Sequence, residues 1–166
     1  MKATGIVRRI DDLGRVVIPK EIRKTLRIRE SDPLEIFTDR EGEIILKKYS
    51  PIGELGSFAK QYAESLAQTT GHSICITDKD QIIATAGGVK KDYIGRPISG
   101  SLESLIEERE NVMYNLTDKE HVDILEINEE KRSQVISPIL CEGDAIGAVV
   151  LMGKSDKIQM GETEQM

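Results

Sequence analysis

The chain has 166 residues, of which 31% are charged and 39% hydrophobic, and it contains no Trp. No apolar run approaches the roughly 20 residues that a membrane-spanning helix needs, and the N-terminus lacks the apolar core of a secretory signal. The two cysteines are too few for a disulfide framework. These features exclude membrane and fibrous classes, and we expect a soluble cytoplasmic protein of one domain or two small ones.

The net charge of −6 is unevenly distributed along the chain. Residues 1–29 hold nine Lys or Arg against three acidic residues, whereas residues 51–166 hold eleven against twenty. A basic segment on an acidic protein needs a local reason, and a polyanion such as nucleic acid is the first to consider.

The first 50 residues are predicted to form a small, mostly β unit. Turn residues separate four apolar or β-branched runs: residues 3–10, 14–18, 33–38 and 43–49. Between the second and third runs, apolar residues recur every four positions, which predicts a short helix after Pro19. Four strands and one short helix bury little surface, so we expect this unit to be stable only by sharing its core with a second copy.

A short linker, residues 51–54, is predicted to separate this unit from a second domain, residues 55–166. The second domain begins with an amphipathic helix that Gly71 ends, and the apolar residues of this helix are Leu55, Phe58, Ala59, Tyr62, Ala63, Leu66 and Ala67. A second helix follows Pro97, and strands are predicted over residues 73–77, 81–85, 112–116, 122–127, 134–141 and 145–152. This order predicts an α+β domain with helices on an antiparallel sheet.

The short helix of the first unit carries a row of basic side chains: Lys20, Arg23, Lys24 and Arg27. The segments before it add the positive charges of Arg8, Arg9 and Arg15. Like charges on one helix face repel each other, but such a row matches a line of phosphates, whose neutralisation releases counterions. The alternative is a solvated basic face with no partner. A helix-turn-helix is disfavoured, because no second helix follows within a short turn.

The same 50 residues resemble a known DNA-binding domain. The run Leu13-Gly-Arg-Val-Val-Ile-Pro19, within a match over residues 4–26, and the later segments 32–37 and 44–49 are similar to the swapped-hairpin domain of AbrB-type transition-state regulators. The resemblance implies a β-barrel formed by the interleaved hairpins of two chains, which binds double-stranded DNA. The DNA-binding residues that it implies are Arg8, Arg9, Arg15, Arg23 and Lys24. At Lys24 only the charge carries over, since a lysine lacks the fork of an arginine.

The second domain resembles a GAF domain, a fold used for regulation and assembly. The carrying residues are Ser137-Pro-Ile139, Gly143 and the run 146–151, which are similar to the closing hairpin of that fold. A cyclic nucleotide is disfavoured as the ligand, because that type of GAF site requires a Phe that residues 59–166 do not contain. A pocket for an unidentified effector and a core filled by side chains both stay open. Residues 161–166 start a helix and stop, so we expect the natural chain to continue.

Neither catalysis nor a metal or cofactor site is predicted. His72 and His121 are the two histidines, and neither lies in a nucleophile motif or in a metalloprotease motif. Cys75 and Cys141 fall on predicted strands, and we expect both to be buried thiols.

The order of the two domains resembles that of sporulation regulators from spore-forming Gram-positive bacteria. It implies a sequence-specific transcription regulator that activates and represses late sporulation genes on the nucleoid of the developing spore. The barrel would form a homodimer, and the GAF-like domain would pair two dimers into a homotetramer. The alternative is an interaction protein of the antitoxin type, since AbrB-like barrels also neutralise toxins. Such antitoxins carry disordered tails, whereas residues 55–152 have the apolar periodicity of a folded core.

Overall fold

The computed structural model describes residues 5–125, 131–154 and 159–161. Contacts between Cα atoms divide the chain into two compact units, unit 1 (Met1–Tyr49) and unit 2 (Ser50–Met166). The predicted mixture of helices and strands is confirmed, and no helix among the described residues is long and apolar enough to cross a membrane.

Unit 1 contains one short helix and one antiparallel hairpin. The elements are helix α1 (Lys20–Thr25), strand β1 (Leu34–Thr38) and strand β2 (Ile44–Lys48). The Nζ atom of Lys48 donates a hydrogen bond to the carbonyl of Arg27 at 2.8 Å and lies 3.4 Å from Oδ2 of Asp32, which ties the hairpin to the loop after α1. The predicted helix and the last two predicted strands of this unit are confirmed within two residues.

The first two predicted strands do not form in the single chain. The described residues 5–19 contain no strand, although they are rich in β-branched and apolar side chains; residues 3 and 4 lie outside the described part. A strand needs a neighbour for its backbone groups. The backbone hydrogen bonds recorded within this stretch belong to one turn between Asp11 and Arg15. The β-forming tendency of these segments is therefore unmet within one copy of unit 1.

Unit 2 is built on a five-stranded antiparallel sheet in the order β4-β3-β7-β6-β5. The strands are β3 (Ser73–Asp78), β4 (Ile82–Ala86), β5 (Val112–Tyr114), β6 (Gln134–Cys141) and β7 (Asp144–Met152). The helices are α2 (Pro51–Glu54), α3 (Gly56–Thr70) and α4 (Gly100–Glu108), with a 3-10 turn at Lys91–Tyr93. Helix α3 ends at Gly71, as predicted, where φ is 74°.

Two apolar clusters lie on opposite faces of this sheet. Three alanines of α3 pack with Ile74 and Leu151 in one cluster. Helix α4 places Leu102 and Ile106 in the other cluster, together with Val150. Adjacent residues of β7 thus point to opposite cores, as the two-residue period of a strand requires. A sheet covered on both faces gives unit 2 a core of its own.

The prediction of a strand over residues 122–127 is wrong for those of its residues that the structure describes. Val122, Ile124 and Leu125 are buried, but residues 121–125 form an irregular segment; residues 126 and 127 lie outside the described part. The backbone of this segment is bound by the start of α4 instead of a strand. The amide of Ser99 donates to the Ile124 carbonyl at 2.8 Å, and the Ser99 hydroxyl donates to the Asp123 carbonyl. The apolar pattern therefore identifies core residues without identifying a strand.

Residues 51–54, the predicted linker, form helix α2 within unit 2. The hydroxyl oxygen of Ser50 accepts a hydrogen bond from the Gly53 amide at 3.0 Å, and the hydroxyl donates to Asp78 Oδ2 at 2.9 Å. Asp78 is itself buried, and its Oδ1 accepts two backbone amides of the following turn at 2.8 and 2.7 Å. Ile52 packs closely against Gly147. A Cβ atom added at Gly147 would lie only 2.8 Å from Cδ1 of Ile52. The segment is thus fixed to the sheet of unit 2.

Candidate nucleic-acid interface

The turn before α1 holds Arg15, one of the predicted DNA contacts. Asp11 Oδ1 accepts hydrogen bonds from the backbone amides of Leu13 at 3.0 Å and Arg15 at 2.8 Å. Gly14 adopts the positive φ of 76° that this turn requires. Asp11 Oδ2 accepts a further hydrogen bond from Arg15 Nε at 2.8 Å. The hydrogen bonds from the amide and then the side chain of Arg15 hold the pKa of Asp11 below its ordinary value of 3.8.

Arg15 keeps donors available for an outside acceptor. Its side chain is 69% exposed, and Asp11 is the one group of the described chain that bonds to its guanidinium. A guanidinium has five N–H donors, so a single bond to Nε leaves both terminal nitrogens free.

Helix α1 carries Arg23 and Lys24 in its last turn, and both are exposed. Pro19 precedes the helix as its N-cap and is the one buried residue among residues 5–49. Arg27 takes a positive φ of 52° beyond the end of the helix. The basic row predicted along this helix therefore ends at Lys24, and Arg27 lies outside it.

The remaining predicted contacts, Arg8 and Arg9, lie on the irregular segment before the Asp11 turn and are exposed. Within the described residues, the side chains of Arg8, Arg9, Arg23 and Lys24 form no ion pair or hydrogen bond with the chain. The structure thus brings two of the five predicted residues together on one helical turn and places the other three on the segment before it. All five offer positive charge to solvent, which is what binding to a phosphate backbone requires.

The β1–β2 turn of unit 1 repeats the two hydrogen bonds from backbone amides to Oδ1 that shape the Asp11 turn. Asp39 Oδ1 accepts the backbone amides two and four residues on, both at 2.9 Å, and Gly42 has a φ of 87°. The fifth position differs, since Glu43 stands where the first turn has Arg15. Reasoning from the sequence did not single out Asp11. The repeated Asp-x-x-Gly spacing is the signal that finds it.

Unit 1 exposes most of its large apolar side chains. The most exposed are Val7 (95%), Val17 (71%), Leu13 (70%), Ile36 (69%) and Ile44 (68%). A folded monomer normally buries side chains of this type. The described part of unit 1 therefore has no closed apolar core of its own.

Helix α3 of unit 2 buries its small residues and exposes its large ones. Its alanines 59, 63 and 67 face the sheet, whereas Leu55, Phe58 and Tyr62 are 57%, 63% and 51% exposed. The Phe58 and Tyr62 rings are stacked, with centroids 6.5 Å apart and an interplanar angle of 11°. Leu66, from the same apolar set, is half-buried against the core. We call Phe58 and Tyr62, together with Leu55 at the N-cap of the helix, the α3 stripe.

The cysteines and histidines of the described chain do not form a site. Cys75 is buried, as predicted, but the prediction for Cys141 is wrong: it ends β6 beside a turn and is exposed. Burial lowers the pKa of His121 more strongly than Asp123, 3.8 Å away, raises it. Among the described residues, no three His, Cys, Asp or Glu side chains are grouped to hold a metal ion.

Comparisons with known proteins match both units. Residues 54–166 match the family model described as the stage V sporulation protein T C-terminal domain, a transcription factor. Residues 7–54 match the model described as antidote-toxin recognition MazE, a bacterial antitoxin. Stage V sporulation protein T of Bacillus subtilis (strain 168) is 57% identical over 165 residues, which cover 99% of this chain and 90% of that protein.

Two further relatives match the N-terminal unit. Transition state regulatory protein AbrB of Bacillus subtilis (strain 168) is 67% identical over 51 residues, which cover 31% of this chain and 52% of that protein. A solution structure of the N-domain of the transcription factor AbrB is 67% identical, with a TM-score of 0.28, and covers 31% of this chain and 96% of its own.

These matches define a transcription factor with an AbrB-like N-terminal unit, and the family is not one of enzymes, as predicted. The family model covers more than half of the chain, and the relative is matched over nearly its full length. The chain belongs to the stage V sporulation protein T family.

Proposed function

We propose that unit 1 binds double-stranded DNA at specific sequences and that the chain thereby regulates late sporulation genes, activating some and repressing others. The observation that carries this proposal is the set of exposed basic side chains in unit 1. Four of them have no partner within the described chain, and Arg15 is held in place with its terminal nitrogens free. The 67% identity of this unit to the regulator AbrB supports the same reading. Contacts from Arg8, Arg9, Arg15, Arg23 and Lys24 to phosphates and bases would provide the binding.

The DNA-binding form is a homodimer. The exposed apolar side chains of unit 1, with Val17 and Ile36 about seven-tenths exposed, support a core completed by a second copy. The unpaired segments 5–10 and 14–18 would find their strand partners in that copy, as in the swapped-hairpin barrel. Two-fold symmetry would then double the number of basic groups that face one DNA site.

Unit 2 links two such dimers into a homotetramer. The α3 stripe supports this, because it exposes two stacked aromatic rings and a leucine on a helix whose other face is already buried. Residues 51–166 carry eleven basic and twenty acidic side chains, so this unit would be repelled by DNA and would act in assembly or regulation. A GAF-like fold and an unidentified small-molecule effector are part of this proposal, as is action on the nucleoid in the cytoplasm of the developing spore.

A second candidate function is antitoxin activity, which the MazE-type match over residues 7–54 favours. An antitoxin binds a co-encoded toxin tightly and with defined stoichiometry. The two functions are separated by testing whether a neighbouring gene product forms a stable complex with the chain and loses its toxicity.

The proposed function is tested by footprinting the full chain on DNA while the salt concentration is varied. We expect protection of discrete sites and an affinity that falls with salt at a slope of roughly 0.9 per phosphate contact. Arg23→Ala removes two contacts per dimer and should reduce the slope by up to about 2. Uniform, weak protection of every sequence would contradict specific binding. An unchanged slope for the variant would remove Arg23 from the interface.

A further inference from the structure

We propose that Asp11 is a positioning residue for DNA binding, which holds the guanidinium of Arg15 so that its two terminal nitrogens face a DNA acceptor. This proposal rests on the proposed function of unit 1. It assigns a role in binding to a carboxylate that would itself be repelled by DNA.

The two carboxylate oxygens of Asp11 accept hydrogen bonds from different partners. Oδ1 shapes the turn by accepting the amides of Leu13 and Arg15 at 3.0 and 2.8 Å. Oδ2 accepts Arg15 Nε at 2.8 Å and bonds to no other described group. Because Nε is occupied, Arg15 can approach an acceptor only with its terminal nitrogens. These nitrogens can form two parallel bonds to a phosphate or to the O6 and N7 atoms of guanine.

The second turn of unit 1 shows that the turn alone does not need this contact. Asp39 forms the same two backbone hydrogen bonds through Oδ1, both at 2.9 Å, and its turn has a glycine at the same position. The residue that follows this glycine is Glu43, whose side chain has no donor to offer to the second oxygen of Asp39. The Asp39 turn is therefore an internal control, with the same two bonds from backbone amides to Oδ1 and no arginine to position.

Electrostatic repulsion and positioning predict opposite changes in DNA affinity when the charge of Asp11 is removed. A negative charge beside a DNA-binding arginine weakens the attraction to phosphates, so its removal should strengthen binding to any DNA. A tethered arginine loses less side-chain freedom on binding, and immobilising one long side chain changes affinity by about two- to tenfold. Removal of the tether should therefore weaken binding where Arg15 makes a specific contact.

The test compares Asp11→Asn with Asp39→Asn in the full chain. Both substitutions remove one negative charge and keep an oxygen for the turn. The probes are the duplex that the wild-type chain enriches most strongly from a random-sequence pool and an unrelated duplex of equal length. For Asp11→Asn, we expect about two- to tenfold weaker binding per Arg15 contact on the enriched duplex, with equal or tighter binding on the unrelated one. Asp39→Asn should not weaken either.

The Arg15→Ala background shows whether Asp11 acts through Arg15. In that background, Asp11→Asn should cause no further loss on the enriched duplex, because there is no guanidinium to hold. A loss that persists without Arg15, or an equal loss from Asp39→Asn, would overturn the positioning role. Wild-type binding by Arg15→Ala would overturn it as well.

A measurement on the wild-type chain keeps the test independent of how the variants fold. In NMR relaxation of the arginine Nε–H groups, we expect Arg15 to be more ordered than Arg23, which has no protein partner for its side chain. Equal mobility of the two would overturn the proposal. Failure of the proposed function has a different signature, since the wild-type chain would then enrich no duplex, and the ordered Nε of Arg15 would persist as part of the turn alone.

Discussion

Unit 1 and unit 2 differ in where their apolar side chains lie. In unit 2, Ile98, Leu102 and Val150 are fully buried beneath helices on a five-stranded sheet. In unit 1, Pro19 is the one buried residue of the described chain, and side chains such as Val17 and Ile36 are exposed. Both units are rich in apolar residues, but only unit 2 buries these side chains within one copy of the chain. An apolar pattern therefore shows that a core exists without showing how many chains build it.

The largest expected effect is that of a substitution in unit 1, at a residue that is exposed in the single chain. Val17→Asp would be nearly neutral on a solvated surface, within about 0.5 kcal/mol. In a shared core it buries a charge, and we expect a loss of several kcal/mol from dimer stability together with loss of DNA binding. Sedimentation velocity measures the dimer. Ser31→Asp is the control, because Ser31 is exposed and its positive φ of 66° suits Asp. Equal dimer stability and equal DNA binding of the two variants would mean that Val17 does not lie in a shared core.

The converse substitution acts on unit 2 alone. Leu102 is fully buried in the α4 core, so Leu102→Ala should lower the free energy of unfolding by about 2–5 kcal/mol. Segment-resolved hydrogen exchange should show this loss in residues 73–86 at every chain concentration. Protection of residues 34–48 should instead rise with concentration in the wild-type chain, since association stabilises unit 1. Protection of residues 34–48 that does not depend on concentration would contradict the comparison.

A third substitution separates assembly from folding within α3. Phe58→Glu places a charge in the α3 stripe, which is outside the core, so we expect tetramers to become dimers in which unit 2 is still folded. Light scattering with thermal unfolding measures both quantities. Gln61→Glu, on the same helix and also exposed, is the matched control. Leu66→Asp should instead unfold unit 2, because Leu66 packs against the core. A Phe58→Glu chain that is still tetrameric would exclude the stripe from the assembly.

The smallest expected effect is the pH dependence of the Asp11 turn. A carboxyl whose pKa is lowered by folding contributes stability above its ordinary pKa of 3.8 and loses it as the pH falls through the lowered value. The hydrogen bond to Arg15 Nε should therefore be intact at neutral pH and break only below about pH 3.8. A carboxyl-carbon NMR titration measures this directly. Asp11 titrating at or above its ordinary value would show that Arg15 does not hold it in solution.

The sequence predicts the elements of unit 2 better than their surroundings. The apolar spacing of α3 and the apolar runs of β6 and β7 are local signals, and all three elements are confirmed. The seven apolar positions of α3 span more than one face, so spacing alone cannot tell that the alanines face the sheet and Phe58 faces solvent. The pattern around Cys141 likewise does not indicate its exposure, because that exposure results from its position at the end of β6, next to a turn.

Longer-range contacts account for the other differences. Ser50 caps α2 and donates to Asp78, which is 28 positions further along the chain, and no local pattern indicates this bond. Residues 122–125 carry an apolar pattern but bond to the start of α4. In the candidate site, the basic residues are visible from charge and motif. Asp11 is not, because its role depends on which side chain its second oxygen meets.

Under the proposed function, unit 1 becomes a DNA-binding surface only when two copies combine. The most direct test is the stoichiometry of the full chain on the duplex that it enriches from a random pool, measured by sedimentation equilibrium at concentrations well above the dissociation constant. We expect complexes with an even number of chains per site and no complex with one chain at any ratio. A stable complex of one chain with one duplex would contradict this expectation.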